Sequence, residues 1–371
     1  MKYRNLEKGK EEISLLGFGC MRFPKTEGTK IDRKKAFEML DYAYKAGVNY
    51  YDTAYFYHDG DSEVLLGEWL KTIDRSTVNV VTKSPVFLCK TREDFYRIFD
   101  EQREKVGVEY FDFYLLHALD KARFEQSLDF DLFGALDDLK ARGLIRKAGF
   151  SFHDEYPVFE EILNAYDWDF CQIQLNYMDI EHQAGLKGYH LATEKGIPVI
   201  IMEPIKGGLL SDVPEEIREQ FDVLHPEWSD SSWAMRWISS FPNVLTVLSG
   251  MSTMEHVKDN ILTTETFEPM TDEELQVVEA AGELFRKRTK ISCTGCNYCM
   301  PCPFNVKIPN NFKNYNTAFI YDDVERAKGS YQFMDEKVRA NHCMECGVCV
   351  DKCPQHIDIP SELKRVSELF Q

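Results

Sequence analysis

FDFYLLHALDKARFEQSLDFDLFGALDDLKARGLIRKAGFS, residues 111–151, holds one complete repeat of the fold. It opens on a nearly unbroken apolar run, Phe111–His117, passes through a helical pattern at Phe130–Ala141 that closes on Gly143, and ends on a second run, Lys147–Ser151. Strands buried on both faces read as continuous apolar runs, and a glycine just past the last turn stops the helix between them. The same rhythm continues in both directions. Strands are predicted at Ser14–Gly19, Val48–Asp52 and Val78–Lys83 before it, and at Phe170–Leu175, Pro198–Glu203 and Val244–Ser249 after it. Helical patterns at Arg33–Ala46, Thr91–Val106 and Gln183–Lys195 fall between them, with Gly47, Gly107 and Gly196 at their ends. Eight strands, each followed by a helix, predict an α/β fold of the (β/α)8 TIM-barrel type. A doubly wound open sheet would normally carry Gly-x-Gly-x-x-Gly after its first strand, and Gly17-Phe18-Gly19-Cys20-Met21-Arg22 lacks the third glycine.

Beyond the barrel pattern the composition changes. An amphipathic helix is expected over Thr271–Lys287, opened by the capping box Thr271-Asp272-Glu273-Glu274. Eight of the eleven cysteines then fall in two runs, Cys293, Cys296, Cys299, Cys302 and Cys343, Cys346, Cys349, Cys353, each closed by proline. The second run has the C-x2-C-x2-C-x3-C-P spacing of bacterial ferredoxins, in which the fourth cysteine ligates the other cluster. The first run is one residue shorter in its last gap. Two [4Fe-4S] clusters are therefore expected, Cys293, Cys296, Cys299 and Cys353 on one and Cys343, Cys346, Cys349 and Cys302 on the other. Structural zinc usually joins two C-x2-C pairs across a longer loop, which this spacing does not resemble. Disulfides suit an exported chain, and the opening MKYRNLEKGKEEISLLGFG has no apolar signal segment, so a cytoplasmic location is expected. The expected division is a barrel over residues 1–288 and a mainly α-helical, ferredoxin-like two-cluster domain over 289–371. Cys20, Cys89 and Cys171 read as packing residues.

Sixty-two acidic against 44 basic residues give the 371-residue chain a formal charge of −18, which disfavours nucleic acid as a partner. No stretch reaches 18 uninterrupted apolar residues, so no membrane span is expected. With 44% hydrophobic residues there is ample material for a core.

In a (β/α)8 barrel the chemistry lies at the C-terminal ends of the strands. That layer of the sequence holds Asp52, Tyr55, Tyr57, Lys83, His117, Ser151, Gln172, Met202 and Glu203. A lysine paired with Asp52 favours a phenolate nearby, and His117 is suited to orient a carbonyl oxygen. The residues alone leave Tyr55 and Tyr57 in competition. At GVNYYDTAYFYHDGDSEVLLGEWL, VVTK, DFYLLH, GFS and VLSGMSTMEHVKDN the chain resembles the aldo-keto reductase superfamily, over roughly residues 13–285. With CTGCNYCMPCP near its end, the whole looks like the bacterial subgroup with a C-terminal ferredoxin-like domain.

The resemblance implies an oxidoreductase with Tyr57 as general acid, Asp52, Lys83 and His117 completing a tetrad, and a small carbonyl or alcohol substrate. It implies nicotinamide contacts at Ser151 and Gln172, and cofactor contacts at Gly250, Ser252, His256 and Asn260. Three positions depart from the family pattern. Phe152 stands where asparagine is usual, Met202 or Glu203 where an aromatic residue commonly stacks, and the loop Gly250–His256 lacks the Lys and Arg that neutralise a 2′-phosphate, with only Lys258 nearby. NAD(H) is therefore favoured over NADP(H). Hydride carries two electrons and each cluster one, so coupling them calls for a flavin or a radical-capable substrate; no flavin motif is present. A ferredoxin or other redox protein is a candidate partner. The competing reading is an electron-transfer module, or a radical-type enzyme fed through the clusters without nicotinamide.

Overall fold

The apolar runs form strands because β-branched and aromatic side chains pack well on a pleated, doubly covered surface. In this computed structural model, which describes residues 1–6, 12–26 and 30–371, an antiparallel hairpin of β1 (Tyr3–Asn5) and β2 (Glu12–Ser14) precedes eight parallel strands. These are β3 (Leu16–Gly19), β4 (Tyr50–Asp52), β5 (Asn79–Ser84), β6 (Phe111–Leu119), β7 (Ile145–Phe152), β8 (Phe170–Gln174), β9 (Val199–Met202) and β10 (Val244–Ser249). They close in sequence order, β10 pairing with β3, as the (β/α)8 reading requires. The expected first strand, Ser14–Gly19, is split. Ser14 belongs to the hairpin, and its hydroxyl donates to the Leu16 carbonyl at 2.7 Å across the corner. Leu6 and Ile13 from the hairpin join a core with Tyr50, Phe113, Phe170 and Leu245, residues from the beginnings of strands. Edge-on contacts of Tyr50 and Phe170 with Phe113, both at 5.1 Å between centroids, rigidify that end and leave the other for chemistry.

Packing divides the chain into two compact units. The first comprises Met1–Asn176, Ile180–Pro204 and Ser231–Thr271; the second comprises Tyr177–Asp179, Ile205–Asp230 and Asp272–Gln371. The expectation placed the division at 288/289, whereas helix Asp272–Arg288 groups with the cysteine region. Its Phe285 lies on the Tyr177 ring at 6.3 Å, and Arg286 Nη1 donates to the Tyr177 carbonyl at 2.9 Å.

The second unit is helical, as read. Helices Ile308–Ile320, Val324–Gln332 and Ile359–Phe370 surround a core of Phe312, Tyr315, Tyr331, Leu363, Val366 and Phe370. Among the described residues no helix is long and apolar enough to cross a membrane.

Candidate functional site

Alternation along β4 sends Tyr51 outward onto Trp69, with ring centroids 4.7 Å apart, and Tyr50 and Asp52 inward. On the neighbouring strand Lys83 is fully buried. An ammonium there must be paired, and Nζ donates to Asp52 Oδ1 at 2.5 Å, to the Thr53 carbonyl at 2.9 Å and toward Tyr57 Oη at 3.4 Å. Burial pushes the Asp52 carboxyl up, and Lys83 opposes that push. Tyr57 meets His117 edge-on at 6.1 Å. Burial, then the charges of Lys83, His153 and Arg123, hold the His117 imidazole well below its usual pKa and therefore neutral. The structure thus brings Asp52, Lys83, Tyr57 and His117 together. Tyr55 is elsewhere: its hydroxyl donates to Glu101 at 2.9 Å and Lys105 lies over its ring at 3.8 Å.

Two supporting features were not read from the sequence. Beyond Tyr57 the backbone turns through three consecutive left-handed residues, His58, Asp59 and Gly60, at φ 55°, 57° and 87°. The His58 ring is wedged beside Phe23 at 6.0 Å, and burial lowers its pKa to about 4. The second is a bulge in β6. Register with β7 slips between Leu116 and Leu119, and Ala118, directly after His117, has φ 53°. The Ala118 N–H donates to Ser151 Oγ and its carbonyl accepts from Arg123 Nη1, each at 2.7 Å. Ser151 therefore helps to aim the histidine, whatever else its hydroxyl meets.

Gln172 is buried, its Nε2 contacts Met202 Sδ at 3.5 Å, and its Oε1 has no hydrogen-bond partner. A buried acceptor left open suits an incoming N–H donor. Phe152 packs on Phe159 at 5.2 Å, on the helix side of the strand. After β10, the Ser252 N–H donates to His256 Nδ1 at 3.3 Å, and Asn260 Nδ2 donates to Ser249 Oγ at 2.9 Å, so two of the expected cofactor residues shape the loop that carries the others. Gly250 lies beneath the Arg22 side chain. Cys20, Cys89 and Cys171 are buried, as expected of packing residues.

In the second unit, Cys293, Cys296 and Cys299 from the first run line a pocket together with Cys353 from the second. Cys302 in turn is an electrostatic neighbour of Cys343 and Cys349. The loops repeat each other. Positive φ occurs at Gly295 and Asn297 in one run and at Glu345 and Gly347 in the other. It recurs three residues after each Cys-Pro cysteine, at Asn305 and His356. Six residues after each of those cysteines an Ile-Pro pair begins a helix, at Ile308 and Ile359. Left-handed residues in such turns point backbone N–H groups inward, as the Gly295 N–H points to Cys293 Sγ at 3.4 Å. Among the described residues no three ligating side chains converge as they would on a single metal ion. Burial pushes the Cys293 thiol up to about 12, and its neighbours Cys296 and Cys353 push the same way. Such a ring of thiols is suited to a cationic iron–sulfur core.

Residues 15–283 match the model of the aldo/keto reductase family, and residues 292–357 match that of the 4Fe-4S dicluster domain. The chain belongs to the aldo/keto reductase family and is an oxidoreductase whose barrel is followed by a 4Fe-4S dicluster domain. An uncharacterized oxidoreductase of Bacillus subtilis is 24% identical over 310 residues, covering 76% of this chain and 96% of the relative. The NADH-specific methylglyoxal reductase of Escherichia coli is 26% identical over 275 residues, 62% of this chain and 83% of that one. The holo form of an aldo-keto reductase from Bacillus halodurans matches with a TM-score of 0.62 at 26% identity, covering 76% of this chain and 96% of that structure.

Proposed function

We propose that the barrel interconverts a small carbonyl compound and its alcohol, with Tyr57 as the proton donor. The observation that carries this is the buried Asp52–Lys83 pair, whose ammonium reaches Tyr57 Oη at 3.4 Å. When bound, a nicotinamide would supply or accept the hydride. Tyr57 gives its phenolic proton to the carbonyl oxygen, and Lys83 stabilises the phenolate that remains. Asp52 fixes Lys83, and the neutral His117 ring is suited to hydrogen-bond the oxygen without competing for the proton. Gln172 Oε1 fits the N–H of a carboxamide, and Ser151, Gly250, Ser252, His256 and Asn260 make up the rest of the inferred cofactor site. The loop at 250–256 has no Lys or Arg, and Lys258 Nζ lies 6.0 Å from the Tyr42 ring centroid. NAD(H) is therefore the preferred cofactor, in keeping with the NADH-specific relative. That relative also makes a 2-oxoaldehyde a reasonable first substrate.

Two [4Fe-4S] clusters are inferred in the second unit, with Cys293, Cys296, Cys299 and Cys353 on one and Cys343, Cys346, Cys349 and Cys302 on the other. When bound, they would supply one-electron transfer, and a ferredoxin-like protein is the inferred exchange partner. The reading without nicotinamide draws on Phe152 and Met202, of which Phe152 packs toward Phe159 and Met202 Sδ meets Gln172 Nε2. The test is NADH oxidation with methylglyoxal and a panel of small aldehydes, using protein purified without oxygen. Turnover in the wild type and its loss in Tyr57→Phe support the proposal; turnover unchanged in that variant refutes it.

A further inference from the structure

Arg123 is the third residue of helix Lys121–Asp129, which begins just after the strand that carries His117. Asp120 caps that helix: its Oδ1 accepts the Arg123 backbone N–H at 2.8 Å, and its Oδ2 lies 2.9 Å from Arg123 Nη1. The same Nη1 donates to the Ala118 carbonyl at 2.7 Å, which fixes the guanidinium beside the turn that follows His117. One nitrogen carries all of this. Nε and Nη2, which share the side edge of the guanidinium plane, make no hydrogen bond among the described residues. One flat face of the group lies over the Phe87 ring at 5.3 Å. Phe87 in turn is stacked on Phe56, with centroids 5.2 Å apart, and Phe56, Phe87 and Leu88 are all exposed. Phe56 directly precedes Tyr57, and Phe87 follows Lys83 by four residues. Exposed apolar side chains gathered beside a buried polar set mark a site where another molecule packs.

We propose that Arg123 binds a carboxylate and that the substrate is an oxo acid, a carbonyl compound with a carboxylate on the same carbon chain. The inference rests on the carbonyl reading given above and deepens it by naming the substrate class. The reacting oxygen belongs to Tyr57 and His117. The carboxylate is a second anchor on the open Nε–Nη2 edge, with the carbon chain between the two lying against Phe87 and Leu88. A side-on guanidinium edge matches the two oxygens of a carboxylate with two parallel N–H···O bonds. Lys83 cannot serve instead, because its ammonium is spent on Asp52 and the Thr53 carbonyl. A local fork is needed here, since the −18 charge of the chain works against an anion at longer range. Asp120 opposes the anion nearby, its charge divided between Nη1 and the helix N-terminus that it caps.

The experiment measures kcat/KM, with NADH and with NADPH, for straight-chain oxo acids of increasing length, each beside its own methyl ester. It uses the full-length protein purified without oxygen. The wild type should prefer the acid over its ester. Arg123→Met should lower the acid-to-ester ratio about 10- to 100-fold, mostly through KM, and Arg123→Lys should recover part of it, since an ammonium keeps the charge without the fork. Asp120→Asn keeps a capping side chain and removes the opposing charge, so it should raise the ratio about 2- to 5-fold. Circular dichroism checks that each variant is folded, and Asp120→Asn keeps the test alive if Arg123→Met is not. Equal losses for acid and ester in Arg123→Met would mean that Arg123 acts only through the turn at Ala118, and overturn the inference. A ratio in Asp120→Asn at or below that of the wild type overturns it too. A wild type that reduces the esters as readily as the acids overturns the inference alone; one that reduces neither, nor methylglyoxal, overturns the carbonyl reading with it.

Discussion

The barrel mouth and the cysteine loops meet opposite electrostatic problems. At the mouth, buried charges of opposite sign satisfy each other: Lys83 is paired with Asp52, and the histidine beside them stays neutral. In the cysteine loops, groups of the same kind are gathered, and Cys293 is pushed up both by burial and by its neighbours. In the first arrangement the polypeptide itself supplies the countercharge. The second calls for a cationic centre to make it stable, so its order depends on something the chain does not contain.

Removing iron and sulfide breaks this comparison most directly. Anaerobic chelation should abolish hydrogen-exchange protection across the loops at 292–305 and 343–357, with loosening of helices Ile308–Ile320 and Ile359–Phe370 that start just beyond them. The strands β3–β10 should keep their protection, since their core is formed by the barrel itself. Iron analysis should give about eight irons per chain before treatment, as expected of two four-iron clusters. Equal loss of protection in both regions would show that the barrel does not stand on its own. Zinc as the only metal would overturn the iron–sulfur assignment.

At the mouth, the largest effect belongs to Tyr57. Tyr57→Phe keeps the ring and removes the proton, so turnover should fall about 100-fold or more with cofactor binding retained. Tyr55→Phe should stay close to wild type, because its hydroxyl serves Glu101. The opposite result would exchange the roles of the two tyrosines. Lys83→Met should be harmful in a different way, lowering stability by roughly 3–5 kcal/mol because Asp52 is left buried without its partner.

Cofactor choice is the next effect in size. Without a guanidinium for the 2′-phosphate, NADP(H) should bind about 10- to 100-fold more weakly than NAD(H). His256→Arg should recover part of the difference in a calorimetric titration. Tighter binding of NADP(H) by the unaltered protein would place the missing cation outside residues 250–256.

Much of this was legible in the sequence where the signal is local. Each barrel strand was read from a short apolar run, and the observed strands fall within two residues of those limits. Helix Lys121–Asp129 went unread because it abuts Leu132–Ala141 and their patterns merge. Tyr55 and Tyr57 were not separable by alternation, since β4 ends at Asp52 and the chain beyond it turns instead of extending. The bulge at Ala118 depends on Ser151, 33 residues away, and no local pattern announces it. The repeat between the two cysteine loops was present in the letters: Cys302-Pro303 and Cys353-Pro354 each precede Ile-Pro by the same interval. It was obscured by the one-residue difference in the last gap of the two runs.

The smallest effect separates the charge economy of the mouth from its catalysis. His117 and His58 both have pKa values lowered in the folded protein, in each case first by burial, and that of His58 is brought to about 4. In the unfolded chain a histidine titrates near 6.5, so between there and the folded values the unfolded state binds more protons. Stability should accordingly be level, as far as these two groups decide it, above about pH 7 and fall as the pH drops below about 6.5. One proton taken up only by the unfolded chain contributes at most about 1.4 kcal/mol per pH unit, and the partly exposed His58 contributes less than that limit. His58→Gln should make the decline in melting temperature between pH 6.5 and 4.5 shallower, with turnover at neutral pH largely kept, because His58 only packs beside the Tyr57 turn. An unchanged slope in that variant would mean that His58 is protonated in the native state, and that its ring is reached by water despite lying beside Phe23.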